Sequence, residues 1–176
     1  MKILIAYATT EGQTRKIARF AADRLTDAGH SVELMRAEDA EGLELGRFDR
    51  AILAGSLHVG AFQKSLAAFA KANAAALAGV PTLFLGVSLA AAGDDPDDWK
   101  GLADCVAKFT AETGWTPARV EHVAGAFRFG EYDFFRAWAM RWIARSKGEA
   151  EPAAGQDREY TDWAKLGAVL DGWAAG

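Results

Sequence analysis

The chain has one cysteine, Cys105, and three scattered histidines, His30, His58 and His122, in 176 residues. A lone cysteine excludes an intramolecular disulfide framework and a cysteine-built metal cluster, and the isolated histidines argue against a metal site. A basic excess is missing too. The formal net charge is −4 with 25% charged residues, so nothing global points to nucleic acid. The only early apolar stretch, Ile3 to Ala8, is too short for a signal-peptide core or a membrane span. A cytoplasmic protein is the default expectation. At this length, with 51% apolar residues, one domain over 1–176 with a sizeable core is expected.

What is present is alternation. "KILIAYA" (2–8) is a continuous apolar strand, as when both faces are buried. Residues 13–28 carry Ile17, Ala21 and Leu25 at four-residue spacing, an amphipathic helix that Gly29 stops. Further strands are expected at 31–35, 49–56, 80–88 and 119–127, and helices at 62–77, 99–113 and 160–174. Pro81 sits near the start of its strand, where a missing N–H matters least. Strands alternating with helices across short connections predict an α/β, doubly wound parallel sheet with helices on both faces. One segment, 128–158, interrupts the rhythm as an insertion before the last helix.

In such a sheet, ligands bind beyond the carboxyl ends of the strands. The loop after the first strand, Thr9 to Thr14, lies there. Thr9, Thr10 and Thr14 supply hydroxyls, Gly12 permits close approach, and a helix starting near Gln13 presents free N–H groups. That suits a phosphate monoester held without metal or lysine, with Glu11 offering its N–H and turning its carboxylate outward. A polar helix cap with no ligand would look similar. No G-x-G-x-x-G follows the strand, which argues against a dinucleotide. Gly55 and Gly60 have P-loop spacing, but Ala61 and Phe62 replace the required Lys and Ser/Thr. "GSLHVGAF" (55–62) and "VSLAAAGDDPDDW" (87–99) are two further loops at strand ends. A phosphate grip plus two loops for a flat ring describes a flavin mononucleotide (FMN) site.

The T-x-E-G-Q-T loop resembles the flavodoxin T-x-T-G-x-T signature, with Glu11 departing at one position. Over nearly the whole chain the sequence is similar to the flavodoxin-like, quinone-dependent protoporphyrinogen IX dehydrogenases. The carrying stretches are "EGQTRKIA" (11–18), "GSLHVGAF" (55–62), "GWTPARVEHVAGAFRF" (114–129) and "YTDW" (160–163). The resemblance implies a flavodoxin-like sheet of order 2-1-3-4-5, FMN, and oxidation of a reduced tetrapyrrole with a quinone acceptor, a step of heme biosynthesis. It implies that Thr9, Thr10, Glu11, Gly12, Gln13 and Thr14 hold the phosphate. Ser56, Leu57, His58, Val59 and Gly60 would meet one side of the ring, and Ser88, Leu89 and Ala90 the other. "GDDPDD" (93–98) stands where the resemblance implies a more basic segment.

Within the insertion, residues 134–146 read as a helix. Phe134, Trp138, Trp142, Phe135, Ala139 and Ile143 share one half, with Arg141 and Arg145 on one border and Arg136 on the other. Between 128 and 148, Arg128, Arg136, Arg141, Arg145 and Lys147 face only Glu131 and Asp133, a net of +3 that leaves −7 for the remainder. The face is either core, a self-association surface, or a surface for tetrapyrrole carboxylates, a quinone or a membrane interface. The last option brings peripheral contact at the inner face of the cell membrane. His58 is read as a stacking or proton-handling group beside the flavin or as a plain loop residue. Cys105 is read as inert packing on its helix. "DDPDD" is read as a solvated loop or a partner-docking patch. No acid–base pair stands out, which suits chemistry led by a cofactor. An FMN-dependent enzyme is the favoured function. A flavodoxin-type electron carrier, another flavin-dependent quinone reductase and a domain that has lost FMN are the alternatives.

Overall fold

A computed structural model describes residues 1–127 and 158–176. The insertion residues Arg128, Phe134, Arg136, Trp138, Arg141, Trp142 and Arg145, and the helix expected over 134–146, lie outside the described residues.

Five strands, β1 (Lys2–Ala8), β2 (Ser31–Arg36), β3 (Arg50–Ser56), β4 (Thr82–Ser88) and β5 (Arg119–Ala124), form one sheet of order β2-β1-β3-β4-β5. All four pairings are parallel, with Ala6 beside Leu53 and Leu53 beside Phe84 across the centre. The helices are α1 (Gln13–Asp27), α2 (Lys64–Ala72), α3 (Ala74–Ala78), α4 (Pro96–Thr113) and α5 (Trp163–Ala175). The unbroken apolar runs of β1, β3 and β4 have a direct cause, because successive side chains enter different cores. Ile3, Ile5 and Tyr7 join Ile17 and Leu25 of α1 and Leu166, Leu170 and Trp173 of α5. Leu4, Ala6 and Ala8 join Leu66, Phe69, Phe109 and Trp115 on the opposite face. There the rings of Phe62, Phe84 and Phe109 pack with centroids 4.9–5.4 Å apart. All the loops that follow strands therefore emerge at one edge of a rigid, doubly covered sheet.

Several expected boundaries differ, each for a local reason. The helix expected over 62–77 is two helices. At Asn73 (φ −115°, ψ 13°) the side-chain amide donates to the Phe69 carbonyl at 2.9 Å, in competition with the helical ladder. The first of the two starts only at Lys64, after a tight turn in which His58 and Ala61 exchange backbone hydrogen bonds across Val59 (φ 49°) and Gly60 (φ 76°). The strand expected over 119–127 stops at Ala124. Gly125 donates to the Ser88 carbonyl and accepts from the Tyr160 amide, and Ala126–Phe127 (β6) then pairs antiparallel with Arg158–Glu159 (β7). The last helix starts at Trp163 rather than 160, because the Asp162 carboxylate caps it by accepting from the Lys165 amide at 2.9 Å. The acidic "DDPDD" run is loop only at Asp94, and from its N-cap Asp95 onward it is the start of α4. Asp95 caps it, Pro96 occupies its first turn, and Asp97 and Asp98 lie at the positive end of its dipole.

Gly55 marks where the sheet meets α2 most tightly. A Cβ there would lie 2.5 Å from Leu66 Cδ2 and 3.3 Å from Phe62 Cδ1. Leu66 is fully buried and has no room to withdraw. Gly55→Ala is expected to lower stability by about 1–3 kcal/mol through overpacking, read as a lower denaturant midpoint. An unchanged midpoint contradicts this packing.

His122 of β5 is a half-buried titratable group on this face. Its ring lies against the edge of Trp99 at 5.7 Å, and its Nδ1 is buried without a hydrogen-bond partner. Burial pushes the imidazole below its ordinary value, and the Glu121 charge opposes that shift. The unfolded chain therefore binds the proton more readily than the folded one. Stability is full above the ordinary histidine range and falls as pH drops through it towards the lowered folded value. Wild type is expected to lose more stability than His122→Phe between about pH 8 and about pH 5. Parallel pH profiles from chemical denaturation would remove His122 as the cause.

Candidate functional site

Three loop regions converge beyond the carboxyl ends of β1, β3 and β4, with the end of β5 closing the side. They enclose an open cleft of about 440 Å³ lined by Thr9, Thr10, Glu11, Gln13, Thr14, Ser56, Leu57, His58, Val87, Ser88, Leu89, Gly125 and Ala126. Backbone hydrogen bonds fix the rim: Leu57 N–H donates to the Val87 carbonyl at 2.8 Å, and Gly125 N–H to the Ser88 carbonyl at 3.0 Å.

One end of the cleft is the start of α1. Its N-cap is Gly12 (φ 91°), a left-handed conformation that glycine adopts without strain. No side chain caps this helix and its first turn holds no acidic residue. The terminus keeps its N–H groups and partial positive charge for a ligand. Thr14 is fully buried, and its hydroxyl has no hydrogen-bond partner. A buried, unpaired hydroxyl costs stability unless a ligand satisfies it.

The other hydroxyls are oriented by the N–H groups that point at them. Thr9 Oγ1 accepts from Gly12 N–H at 2.9 Å, and Ser88 Oγ accepts from Ala91 N–H at 3.2 Å. Thr10 Oγ1 accepts from Gln63 Nε2 at 3.1 Å, and Ser56 Oγ accepts from the same nitrogen. Among the described residues none of these four donates to a protein acceptor. Each therefore keeps its proton for something in the cleft. Among the described residues the lining includes no lysine or arginine. A donor-rich, uncapped cleft of this kind suits a ligand whose polar end only accepts, such as a phosphate monoester. The apolar side chains of Leu57, Val87 and Leu89 suit a flat ring. On the donor set and the buried Thr14 hydroxyl, the residues fit FMN.

Of the residues expected at this site, Gly12, Val59, Gly60 and Ala90 do not line the cleft. Gly12 instead shapes the helix start. Val59 and Gly60 form the turn tip, where Val59 is 71% exposed and holds a left-handed conformation unfavourable for a β-branched residue. Ala90 begins the short turn Ala90–Ala92 behind Leu89. His58 lines the cleft through this turn. Val87, Gly125 and Ala126 were not anticipated. The signal available was "AGAF" after the fifth strand, at the same edge of the sheet as the other loops. Gln63 was missed as well, and nothing local marks it. Cys105 is not in the apolar core: it is half-buried, and its thiol lies 3.5 Å from the Gly60 carbonyl. Burial pushes that thiol up, with Asp104 adding to the shift and Lys108 opposing it, which favours the unreactive protonated form.

The stretch after the insertion is tied to α1. Gln13 Nε2 donates to Thr161 Oγ1 at 2.9 Å, and that hydroxyl donates to the Ala124 carbonyl at 2.7 Å. Lys16 pairs with Glu159 at 2.5 Å, and Trp163 Nε1 donates to the same carboxylate at 2.8 Å. Both ends of the insertion are thus anchored beside the cleft. A second hollow of about 660 Å³ adjoins it at β5, lined among others by Glu121, Tyr160, Asp162 and Lys165.

Thr14→Val is expected to act in opposite directions on two measurements. FMN affinity, read by flavin fluorescence, falls by about 1–3 kcal/mol through loss of one hydrogen bond to a charged group. Thermal stability of the flavin-free protein stays level or rises, because an unpaired buried hydroxyl is removed. Equal affinity in both proteins takes Thr14 out of the site.

Comparison with known proteins agrees with this geometry. The family model described as a flavodoxin domain matches residues 4–152. The chain is 28% identical over 167 residues to the protoporphyrinogen IX dehydrogenase [quinone] of Escherichia coli K12, covering 94% of this chain and 91% of that protein. It is 27% identical over 178 residues to a protein of the same name from Leishmania major, covering 99% and 75%. Among solved structures, oxidised flavodoxin 2 from Bacillus cereus superposes with a TM-score of 0.57 at 18% identity, covering 99% of both chains. A short-chain flavodoxin associated with a bacterial microcompartment gives 0.60 at 14% identity, covering 99% and 97%. The family match spans most of the sheet and every described residue that lines the cleft, and the chain belongs to the flavodoxin domain family.

Proposed function

We propose that this protein is an FMN-dependent oxidoreductase that oxidises protoporphyrinogen IX to protoporphyrin IX and passes the electrons to a quinone. The observation that carries the cofactor reading is the buried Thr14 hydroxyl, unpaired at an uncapped helix N-terminus. The names of the relatives in Escherichia coli and Leishmania major support the substrate and the acceptor. When bound, FMN supplies reversible two-electron chemistry. The α1 amides with Thr9, Thr10 and Thr14 would bind its phosphate, and the 56–58 and 87–89 loops would hold the edge of its ring. The overall change removes six electrons and six protons from the tetrapyrrole and converts three quinones to three quinols.

The insertion carries the substrate surface in this reading. Arg128, Arg136, Arg141 and Arg145 offer guanidinium groups to tetrapyrrole carboxylates. Phe134, Trp138 and Trp142 offer an apolar face to the macrocycle, the quinone or a peripheral membrane contact. No helix among the described residues is long and apolar enough to cross a membrane.

The test is spectroscopic. Flavin extracted from purified protein is expected to run as FMN, not FAD. Under anaerobic conditions protoporphyrinogen IX should bleach the bound flavin, and a soluble quinone should restore its colour while porphyrin fluorescence appears. Arg141→Glu with Arg145→Glu should slow the bleaching and leave FMN bound. A protein that holds FMN, accepts electrons from dithionite and ignores the porphyrinogen is an electron carrier. Recovery of FAD overturns the cofactor reading itself.

A further inference from the structure

We propose that Gln63 is a positioning residue for the cofactor, acting by fixing the direction in which two cleft hydroxyls donate. The proposal rests on the FMN reading above. Gln63 precedes α2 with extended backbone (φ −59°, ψ 140°), and its side chain is not used to cap that helix. Its carboxamide reaches back to the cleft instead. The Ser56 N–H points at Oε1 at 3.1 Å. A backbone N–H only donates, so the carboxamide atom facing it is the oxygen, and the other is the NH₂ group. That nitrogen meets Thr10 Oγ1 at 3.1 Å and also Ser56 Oγ. Its two protons are thereby spent on two hydroxyls, one from each of two loops that are 46 positions apart in the chain.

The chemical consequence follows from the inventory of donors. An NH₂ group cannot accept, so both hydroxyls are acceptors towards Gln63 and neither can turn its own proton to it. Thr10 and Ser56 both line the cleft. Their protons are left for an acceptor there: a phosphate oxygen beside Thr10 and a ring or ribityl oxygen or nitrogen beside Ser56. A single side chain outside the lining thus converts two amphoteric hydroxyls into donors. It also ties the β1 loop to the β3 loop. The place has no slack, because a Cβ on Gly55 would lie 3.5 Å from Gln63 Oε1.

The sharp test is Gln63→Glu, which keeps shape and still accepts from Ser56 N–H. Its second oxygen is an acceptor, so it draws the two hydroxyl protons to itself and away from the cleft. FMN affinity of the flavin-free protein, titrated by fluorescence, is expected to fall about 10-fold to 100-fold at neutral pH, the scale of hydrogen bonds to a charged group. Protonating the new carboxyl restores an O–H donor. The ratio of wild-type to variant affinity should therefore shrink as pH is lowered from about 8 to about 5. A purely structural role would not produce that recovery. Gln63→Leu removes both functions and should show a loss that does not change with pH. Circular dichroism of each flavin-free variant verifies the fold. Riboflavin serves as the second probe: if Thr10 donates to phosphate, Gln63→Glu weakens FMN more than riboflavin. Wild-type FMN affinity retained by Gln63→Glu at neutral pH overturns the proposal. So does a Gln63→Glu deficit that is the same at every pH. Failure of wild type to bind FMN at all strikes the cofactor reading instead, so the two failures are distinguishable.

Discussion

The uncapped start of α1 is the constraint on which the site depends. Most helices have their first amides partly satisfied by a side chain at the N-cap. Here glycine takes that position and the first turn holds no carboxylate. The terminus is therefore unsatisfied by design of the local sequence, and it is aimed past the end of β1. That aim is possible only because β1 is pinned between β2 and β3 and buried on both faces. The two cores hold the strand, the strand holds the loop, and the loop presents the helix end.

Around that terminus, hydrogen bonding is arranged by exclusion. The N–H groups of Gly12, Ala91 and Gln63 occupy the lone pairs of four hydroxyls. What remains is a set of protons with no protein acceptor among the described residues. A lysine or arginine would attract any anion, strongly and with little sense of direction. Neutral donors in fixed directions select an acceptor by shape, and the helix dipole supplies the positive potential. This accounts for a lining that holds no basic side chain among the described residues.

The legible and illegible parts of the sequence divide along a physical line. The Thr9–Thr14 loop was readable as a candidate site because its signal is local: three hydroxyls and a glycine between a strand and a helix lie within six residues. The sheet was readable because double burial leaves continuous apolar runs. Gln63 was not readable. Its partners are 7 and 53 positions away, and a glutamine before a helix has many ordinary explanations. Gly125 and Ala126 were illegible for a related reason, since the strand was read as continuing through a glycine that in fact turns towards Ser88 and Tyr160. The break at Asn73 was passed over because the apolar spacing runs across it. The "DDPDD" run was misread through attention to its charge. The Asp-Pro order is a helix-start signal, and the acidic first turn agrees with it.

The clearest asymmetry in the molecule lies in how its two kinds of loop are held. The β1 loop is locked from two sides, by Gln63 through Thr10 and by Thr161 through Gln13. The tip after β3 is left strained and exposed at Val59. A phosphate carries the same charge in every redox state of a flavin, so a rigid grip on it has no disadvantage. The ring changes its protons and its donor pattern when electrons arrive. A turn with a β-branched residue at positive φ stores a modest strain, of order 1–3 kcal/mol. A rigid loop at the helix end that would meet the constant group, and a strained turn that reaches the cleft only through His58, is the division of labour expected of a domain that binds a cofactor and lets it change state.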